Sequence, residues 1–417
     1  MEYTKYDMNA YNLHIVKTDK FKTVTVSVAF RRKTVKEEVT IRNLLKELIV
    51  NSSLNYPTEK SLIIETEKLY DLKLLASNYR IGNYTILSFK ERFLNEKYTE
   101  EGMNEESIRF LLDLIFNPRL DNDVLKCKKK IEKSILSLKD NKVKYSLLKL
   151  LESTNDMPYS YNSYGNIDDV NKITNEDIVN YYNSVLRDDI IDVFVVGEVD
   201  DVEIKRIFKE YFKVTTFHKQ ECEVVVKELP KVRKVEVIKE EDNVNQTQLA
   251  ILYSLNGITD KERKFVLPIF SEMLGGSSNS ILFDSVREKN SYAYYVNSIV
   301  KSYDNIMMIY AGIDGNNQDN VRKIIDKELK MITKGHVDKE KLECAKKTMI
   351  SAIKASLDNP IGIINGYYAM ELVNADEFEA RIEGMANVTM EDIITVSKKI
   401  SMYKSFVLEA SCEENND

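Results

Sequence analysis

Cysteine, histidine, glycine and proline are all scarce in this 417-residue chain, and each shortage removes a class of protein. Four cysteines, Cys127, Cys222, Cys344 and Cys412, lie far apart with no CxxC pair. That excludes zinc-ribbon and thioredoxin-like motifs and suits a reducing compartment. The three histidines, His14, His218 and His336, are so widely separated that no two can sit one helical turn apart, so a two-histidine helical metal site is absent. Thirteen glycines and six prolines favour long uninterrupted helices over a turn-rich all-β architecture. No stretch approaches the roughly 18 apolar residues of a membrane span, and Met1 to Val16 lacks the order of an export signal. A cytoplasmic chain is expected. No GxxxxGK, GxGxxG or GxSxG pattern occurs, which sets aside the commonest nucleotide-binding and serine-hydrolase readings.

What is present describes an ordinary globular chain of two or three domains, with 43% hydrophobic and 30% charged residues. Sixty basic against 67 acidic side chains leave a net charge of -7. Partners that need a broad positive surface, nucleic acid and anionic membrane, are therefore not expected.

Alternation of period two over Thr23 to Phe30 predicts a strand, helical periodicity predicts helices over Lys36 to Ile49 and Thr58 to Leu74, and a second strand is predicted near Tyr84 to Phe89. A long helical region over 105–152 breaks near Asn117-Pro118 and Asp140-Asn141, and Ile191 to Gly197 reads as a buried strand. Sliding the chain against itself is more informative. Ile173-Thr174-Asn175-Glu176-Asp177-Ile178 matches Val388-Thr389-Met390-Glu391-Asp392-Ile393 at an offset of 215, each with a capping Thr and an Asp three residues on. The same offset lays Ile191 to Val196 on Phe406 to Ser411, and the opening strand finds a counterpart in Gln246 to Leu255. Two homologous halves of about 200 residues follow, divided as 1–215 and 236–417 with a linker at 216–235.

The segment from Leu274-Gly275-Gly276-Ser277-Ser278 through Leu282-Phe283 to Arg287-Glu288-Lys289 and Tyr294 resembles the signature of the C-terminal half of the pitrilysin/insulinase zinc peptidase superfamily, in its mitochondrial-processing-peptidase-like branch. Asn55-Tyr56-Pro57-Thr58, Tyr164-Gly165-Asn166 and Val196-Gly197 also stand where that branch would have them. The resemblance implies an α+β fold: two homologous αβ halves, each a mainly antiparallel sheet packed by helices, closing as a clamshell about a linker. Catalytic members carry HxxEH on the helix before the Tyr-Pro-Thr segment, two zinc-binding histidines with a Glu as general base. Here Asn43-Leu44-Leu45-Lys46-Glu47 stands in that place, and the later helix offers Lys133-Ser134, with Glu132 one step away, where a further Glu ligand is needed. Asn43, Lys46 and Glu47 thus read as a degenerate zinc motif.

By the same resemblance Arg287 and Tyr294 hold the substrate carbonyl and its oxyanion, a kind of contact worth about 3 to 4 kcal/mol in the transition state, and Gly275, Gly276 and Ser277 border the peptide. The chain resembles the non-metal-binding subunit of paired bacterial members, and most closely the proteins associated with 5-aminopentanol modification of elongation factor P. No cofactor is expected in this chain, zinc is expected in an HxxEH-bearing paralogue with which it forms a heterodimer, and a peptide is the expected substrate. The alternative is a zinc-free scaffold or peptide-binding protein that keeps the fold without a catalytic role. Among weaker signals, His14 reads as a packing residue, Asp314 to Asp319 as a turn with an N-cap, and Gly362 to Gly366 as a helix interruption.

Overall fold

In the computed structural model, which describes residues 1–213, 224–314 and 317–410, the first half runs β1 (Glu2–Asp7), β2 (Asn12–Lys17), β3 (Thr23–Lys33), α1 (Val39–Ile49), α2 (Glu59–Lys68), β4 (Lys73–Ile81), β5 (Tyr84–Leu94), α3 (Met103–Phe116), α4 (Val124–Leu136), α5 (Lys142–Glu152), α6 (Ile167–Lys172), α7 (Asn175–Asp188), β6 (Ile190–Gly197) and α8 (Asp201–Tyr211). The second half runs β7 (Glu236–Asp242), β8 (Thr247–Leu255), α9 (Leu267–Gly275), β9 (Ala293–Lys301), β10 (Ile306–Ile313), α10 (Gln318–Thr333), α11 (Lys339–Ser356), α12 (Pro360–Val373), α13 (Phe378–Ala386), α14 (Met390–Ser397) and β11 (Ile400–Ala410). His218, Cys222 and Cys412, and part of the predicted linker, lie outside the described residues.

The strands form two sheets, ordered β1-β2-β6-β3-β5-β4 and β7-β11-β8-β10-β9. β6 runs parallel to β2 and antiparallel to β3, and β11 runs parallel to β7 and antiparallel to β8. The sequence repeat therefore reappears as a repeated connectivity in an α+β fold with two similar, mainly antiparallel halves. Its capping boxes are present in both copies, Thr174 with Asp177 and Thr389 with Asp392, each satisfying backbone N–H groups that the first turn leaves unpaired.

Two compact units emerge, and they follow the two halves except at two segments. Residues 137–161 belong to the C-terminal unit and 356–368 to the N-terminal one. Within the C-terminal unit, Leu150 and Leu151 of α5 join Ala250, Leu252, Phe406 and Leu408 of the sheet in one apolar cluster. Within the N-terminal unit, Tyr367 of α12 stacks on Tyr3 at 4.1 Å and Tyr368 meets Phe194 edge-on at 5.3 Å. A period-3.6 pattern shows that such helices have an apolar face, but not which sheet receives it. In the described part of the linker, Val224, Val226 and Leu229 are buried.

Two local expectations are corrected. The helix predicted over Thr58 to Leu74 stops at Lys68, because Tyr70 and Asp71 take left-handed backbone and reverse the chain into β4, a strand the periodicity did not predict. Gly362 to Gly366 does not interrupt a helix: α12 runs through it, and Gly362 is required because a Cβ there would strike the Ser356 carbonyl. No helix among the described residues is long and apolar enough to cross a membrane.

One face of the first sheet meets the helices in an apolar core that includes Val26, Phe89 and Phe93. Glu91 lies on that same face, paired across β3 and β4 with Val26 and Leu74, 1% exposed and with no hydrogen bond to either carboxyl oxygen. Burial alone pushes its carboxyl well above the usual glutamate range.

Two outcomes follow from this packing. Leu150→Ala, a change in the first half of the sequence, should cost about 2 to 5 kcal/mol and lower amide hydrogen-exchange protection in β8 and β11 before β3 and β5. Because the folded state holds the Glu91 proton more tightly than the unfolded chain, its contribution favours folding below the ordinary glutamate pKa of about 4.3 and is lost as pH rises through the elevated folded value. Glu91→Gln should therefore raise the urea midpoint at neutral pH and lose that advantage near pH ~4.

Candidate functional site

Helix α1, which carries the Asn43 to Glu47 segment, is positioned by a buried arginine. Arg42, 1% exposed, donates through Nη2 to Asp189 Oδ2 at 2.6 Å and to the Phe30 carbonyl at 2.8 Å, and through Nη1 to Tyr181 Oη at 3.1 Å. Arg32 of β3 shares Asp189 and also reaches Glu38 at 3.2 Å. Tyr181 in turn donates to Glu38 at 2.9 Å, so β3, α1 and α7 meet at one carboxylate. Burial works against the Arg42 charge, but Asp189 more than offsets it and the guanidinium stays protonated.

This anchoring fixes what α1 presents. Asn43 Nδ2 donates to the Val39 carbonyl at 3.1 Å and to the Ser163 carbonyl at 2.8 Å, while its Oδ1 accepts from Asn78 at 3.2 Å. The amide is a structural tie between α1, β4 and the loop before α6. Glu47 is 9% exposed and gripped by two ammonium groups, Lys46 at 2.9 Å and Lys130 of α4. Burial would raise the Glu47 carboxyl, yet the hydrogen bonds from Lys130 and Lys46 hold it below the usual glutamate range. Cys127, one turn before Lys130, is buried, and its thiol is pushed up to about 11 by desolvation and then by the Glu47 charge.

A zinc ion does not fit this set. It needs three protein donors and an open position, whereas an amide committed to backbone carbonyls, a carboxylate neutralised by two lysines and a protonated thiol are what α1 and α4 supply. No group of three or more His, Cys, Asp or Glu among the described residues could hold a metal. The residue facing Glu47 from α4 is Lys130, one turn before the Lys133-Ser134 pair. One usable signal for it is the lysine run Lys128-Lys129-Lys130 following Cys127.

In the C-terminal unit, Arg287 and Tyr294 sit on two irregular elements joined by a tight connection. Phe283–Glu288 is a π-helical turn, a geometry enriched at functional sites. Arg287 lies over the Phe283 ring at 4.7 Å, and its one ion-pair contact among the described residues is Glu288, at 4.0 Å. Its side chain is 47% exposed. Ser291, at φ 53°, turns the chain, and the Ser291 and Tyr292 N–H groups bond back to the carbonyls of Arg287 and Val286 at 2.9 and 3.1 Å.

At the start of β9 the ladder skips a residue. Ile313 pairs with Ala293 and Gly312 with Tyr295, so Tyr294 is the extra residue of a β-bulge. Tyr295 stays over Gly312, where a Cβ would collide with its ring, and its hydroxyl bonds Gln248. Tyr294 is turned outward and is 56% exposed. Of the three glycine-turn residues, Gly275 is buried because α9 presses on β9 there, a Cβ lying 2.8 Å from the Ser298 nitrogen. Gly276 and Ser277 are exposed. Glu272 lies over Gly276, its carboxyl raised by burial and partly restored by a hydrogen bond with Ser277.

Placing an HxxEH motif in α1 by Asn43→His, Lys46→Glu and Glu47→His should leave zinc short of stoichiometric in dialysed protein, since Lys130 still places an ammonium opposite. Adding Lys130→Glu, which exchanges that ammonium for a carboxylate, should raise zinc content as measured by metal analysis.

The family model described as "Peptidase M16 inactive domain" matches residues 172–349. "Probable inactive metalloprotease YmfF" of Bacillus subtilis is 30% identical to this chain over 420 residues, covering 95% of each. A conserved protein from Enterococcus faecalis superposes with a TM-score of 0.92 at 25% identity, covering 100% of both chains. A protease from Helicobacter pylori shares the fold, with a TM-score of 0.82 at 15% identity over 98% of this chain and 99% of that one. The match to the Bacillus subtilis relative over nearly the whole of both chains, with the family model over 172–349, establishes that the chain belongs to the M16, or insulinase, superfamily of peptidases, in whose inactive-metallopeptidase homologues its likeness lies.

Proposed function

We propose that this chain is the non-metal-binding subunit of a heteromeric zinc-dependent peptidase, working in the cytoplasm with an HxxEH-bearing paralogue. The observation that carries the reading is the contrast between two segments. α1 has its motif positions tied up in hydrogen bonds and ion pairs, whereas Arg287 and Tyr294 are held outward by a π-turn and a bulge. Charged and aromatic side chains kept exposed on backbone irregularities are arranged to meet something. In this reading the Arg287 guanidinium and the Tyr294 hydroxyl donate hydrogen bonds to the scissile carbonyl as negative charge develops on its oxygen. Gly276 and Ser277 offer exposed backbone where a peptide can approach closely. The partner supplies zinc and the general base.

The alternative is a scaffold or peptide-binding subunit with no share in catalysis. The description of its Bacillus subtilis relative as inactive favours it. The two readings part on one measurement. In the reconstituted pair, Arg287→Ala should lower kcat by about 100-fold to 1,000-fold and leave zinc content unchanged, while the isolated chain hydrolyses nothing. Full activity of the Arg287→Ala complex assigns the chain to the scaffold role.

A further inference from the structure

The face of the first sheet turned away from its helical core carries an unassigned pair of cations. Strand alternation puts Lys90 and Arg92 of β5 on that face, with Ser27 and Thr25 of β3 as their cross-strand neighbours. On the other side β4 contributes Leu75 and Lys73. Other charges on this face have partners: Asp192 accepts from Arg31 at 2.9 Å and from Asn12 at 2.8 Å, and Lys73 pairs with Asp71. Lys90 and Arg92 are not matched. Among the described residues neither has a carboxylate within ion-pair distance, and the nearest recorded group to the Lys90 ammonium is the Tyr79 ring, whose centroid lies 5.8 Å away.

A lysine with its stem buried and its charge unpaired is costly in a chain with an acidic excess. Lys90 is 8% exposed, and burial alone lowers its pKa, with no neighbouring acid to restore it. Its surroundings are half apolar and open toward the β4 edge, where Leu75 is 51% exposed and Arg92 is exposed. Two cations at i and i+2 on one strand face lie about 7 Å apart, the same repeat at which an extended peptide presents every second side chain.

We propose that Lys90 and Arg92, flanked by Tyr79 and Leu75, form a docking site for an extended acidic peptide segment carrying carboxylates at alternate positions. Each carboxylate takes one cation as a charge-assisted hydrogen-bond partner, and the intervening contacts fall on Tyr79 and Leu75. The site lies wholly within the N-terminal unit and needs neither zinc nor a second subunit. Its failure would leave the proposed peptidase partnership standing, and failure of that partnership would leave this site standing.

The test is fluorescence anisotropy of the full chain with a labelled alternating serine–glutamate octapeptide. Serine–glutamine and serine–lysine peptides of equal length, and a single-stranded DNA of matched charge, serve as comparisons. The glutamate peptide should bind and weaken as salt rises from about 50 mM to about 300 mM. Lys90→Met, which keeps the apolar stem, and Arg92→Gln, at an exposed position where folding is not at stake, should each weaken it about tenfold or more. Thermal melts confirm that both variants are folded. Amine-acylation footprinting should show Lys90 protected by the glutamate peptide and not by the glutamine one. Equal binding of the glutamine peptide or the DNA, no binding of the glutamate peptide, or indifference to both substitutions overturns the proposal.

Discussion

The placement of α1 depends on a single buried carboxylate. Asp189, at the junction of α7 and β6, receives Arg42 from inside the helix and Arg32 from β3, and through Tyr181 and Glu38 the same cluster closes on the start of the helix. A charge taken out of water is tolerated only while its partner remains, so removing one member of such a pair costs about 3 to 5 kcal/mol even where the intact pair is close to neutral. That asymmetry makes the cluster a rigid fixture. It holds α1 in position through contacts within the protein itself.

Once a helix is fixed in this way, the polar side chains it presents must be satisfied as well. Lys46 and Lys130 neutralise Glu47, and Asn43 turns its amide to backbone carbonyls. The helix pair α1 and α4 is thereby held by polar contacts that need no cofactor. The opposite economy rules at Arg287 and Tyr294. There the backbone takes irregular forms, a π-turn and a bulge, whose effect is to keep two side chains out of the packing. Lys90 and Arg92 are a third case, cations without a carboxylate partner on a sheet face where Asp192 is paired with Arg31.

Much of the fold was legible because it rests on short-range signals. The Thr174 and Thr389 caps, the strand around Val193 and the offset of the two halves are patterns of a few residues each, and each reappears with its hydrogen bonds in place. His14 fits its reading as a packing residue, fully buried and stacked on Phe194 at 4.1 Å. β4 was missed because the helical pattern over Thr58 to Leu74 runs into its first residues, and it is the left-handed pair Tyr70-Asp71 that turns the chain into a strand. The candidate site was legible in its residues and not in its geometry. Arg287 and Tyr294 could be named, but the bulge that exposes Tyr294 depends on Tyr295 fitting over Gly312 of β10, a contact between strands.

The amino-acid sequence by itself determined that the chain has two similar halves, that each alternates strands with helices, and that no histidine pair can hold a metal on α1, because periodicity, caps and residue identity are local properties. Tertiary structure alone decided that Lys130 stands opposite Glu47, that α5 packs on the second sheet, and that Lys90 and Arg92 face away from the core without a carboxylate partner. Those outcomes are set by which surfaces meet across tens to hundreds of residues, and the free energy of such meetings comes from burial and charge pairing that no window of the sequence contains.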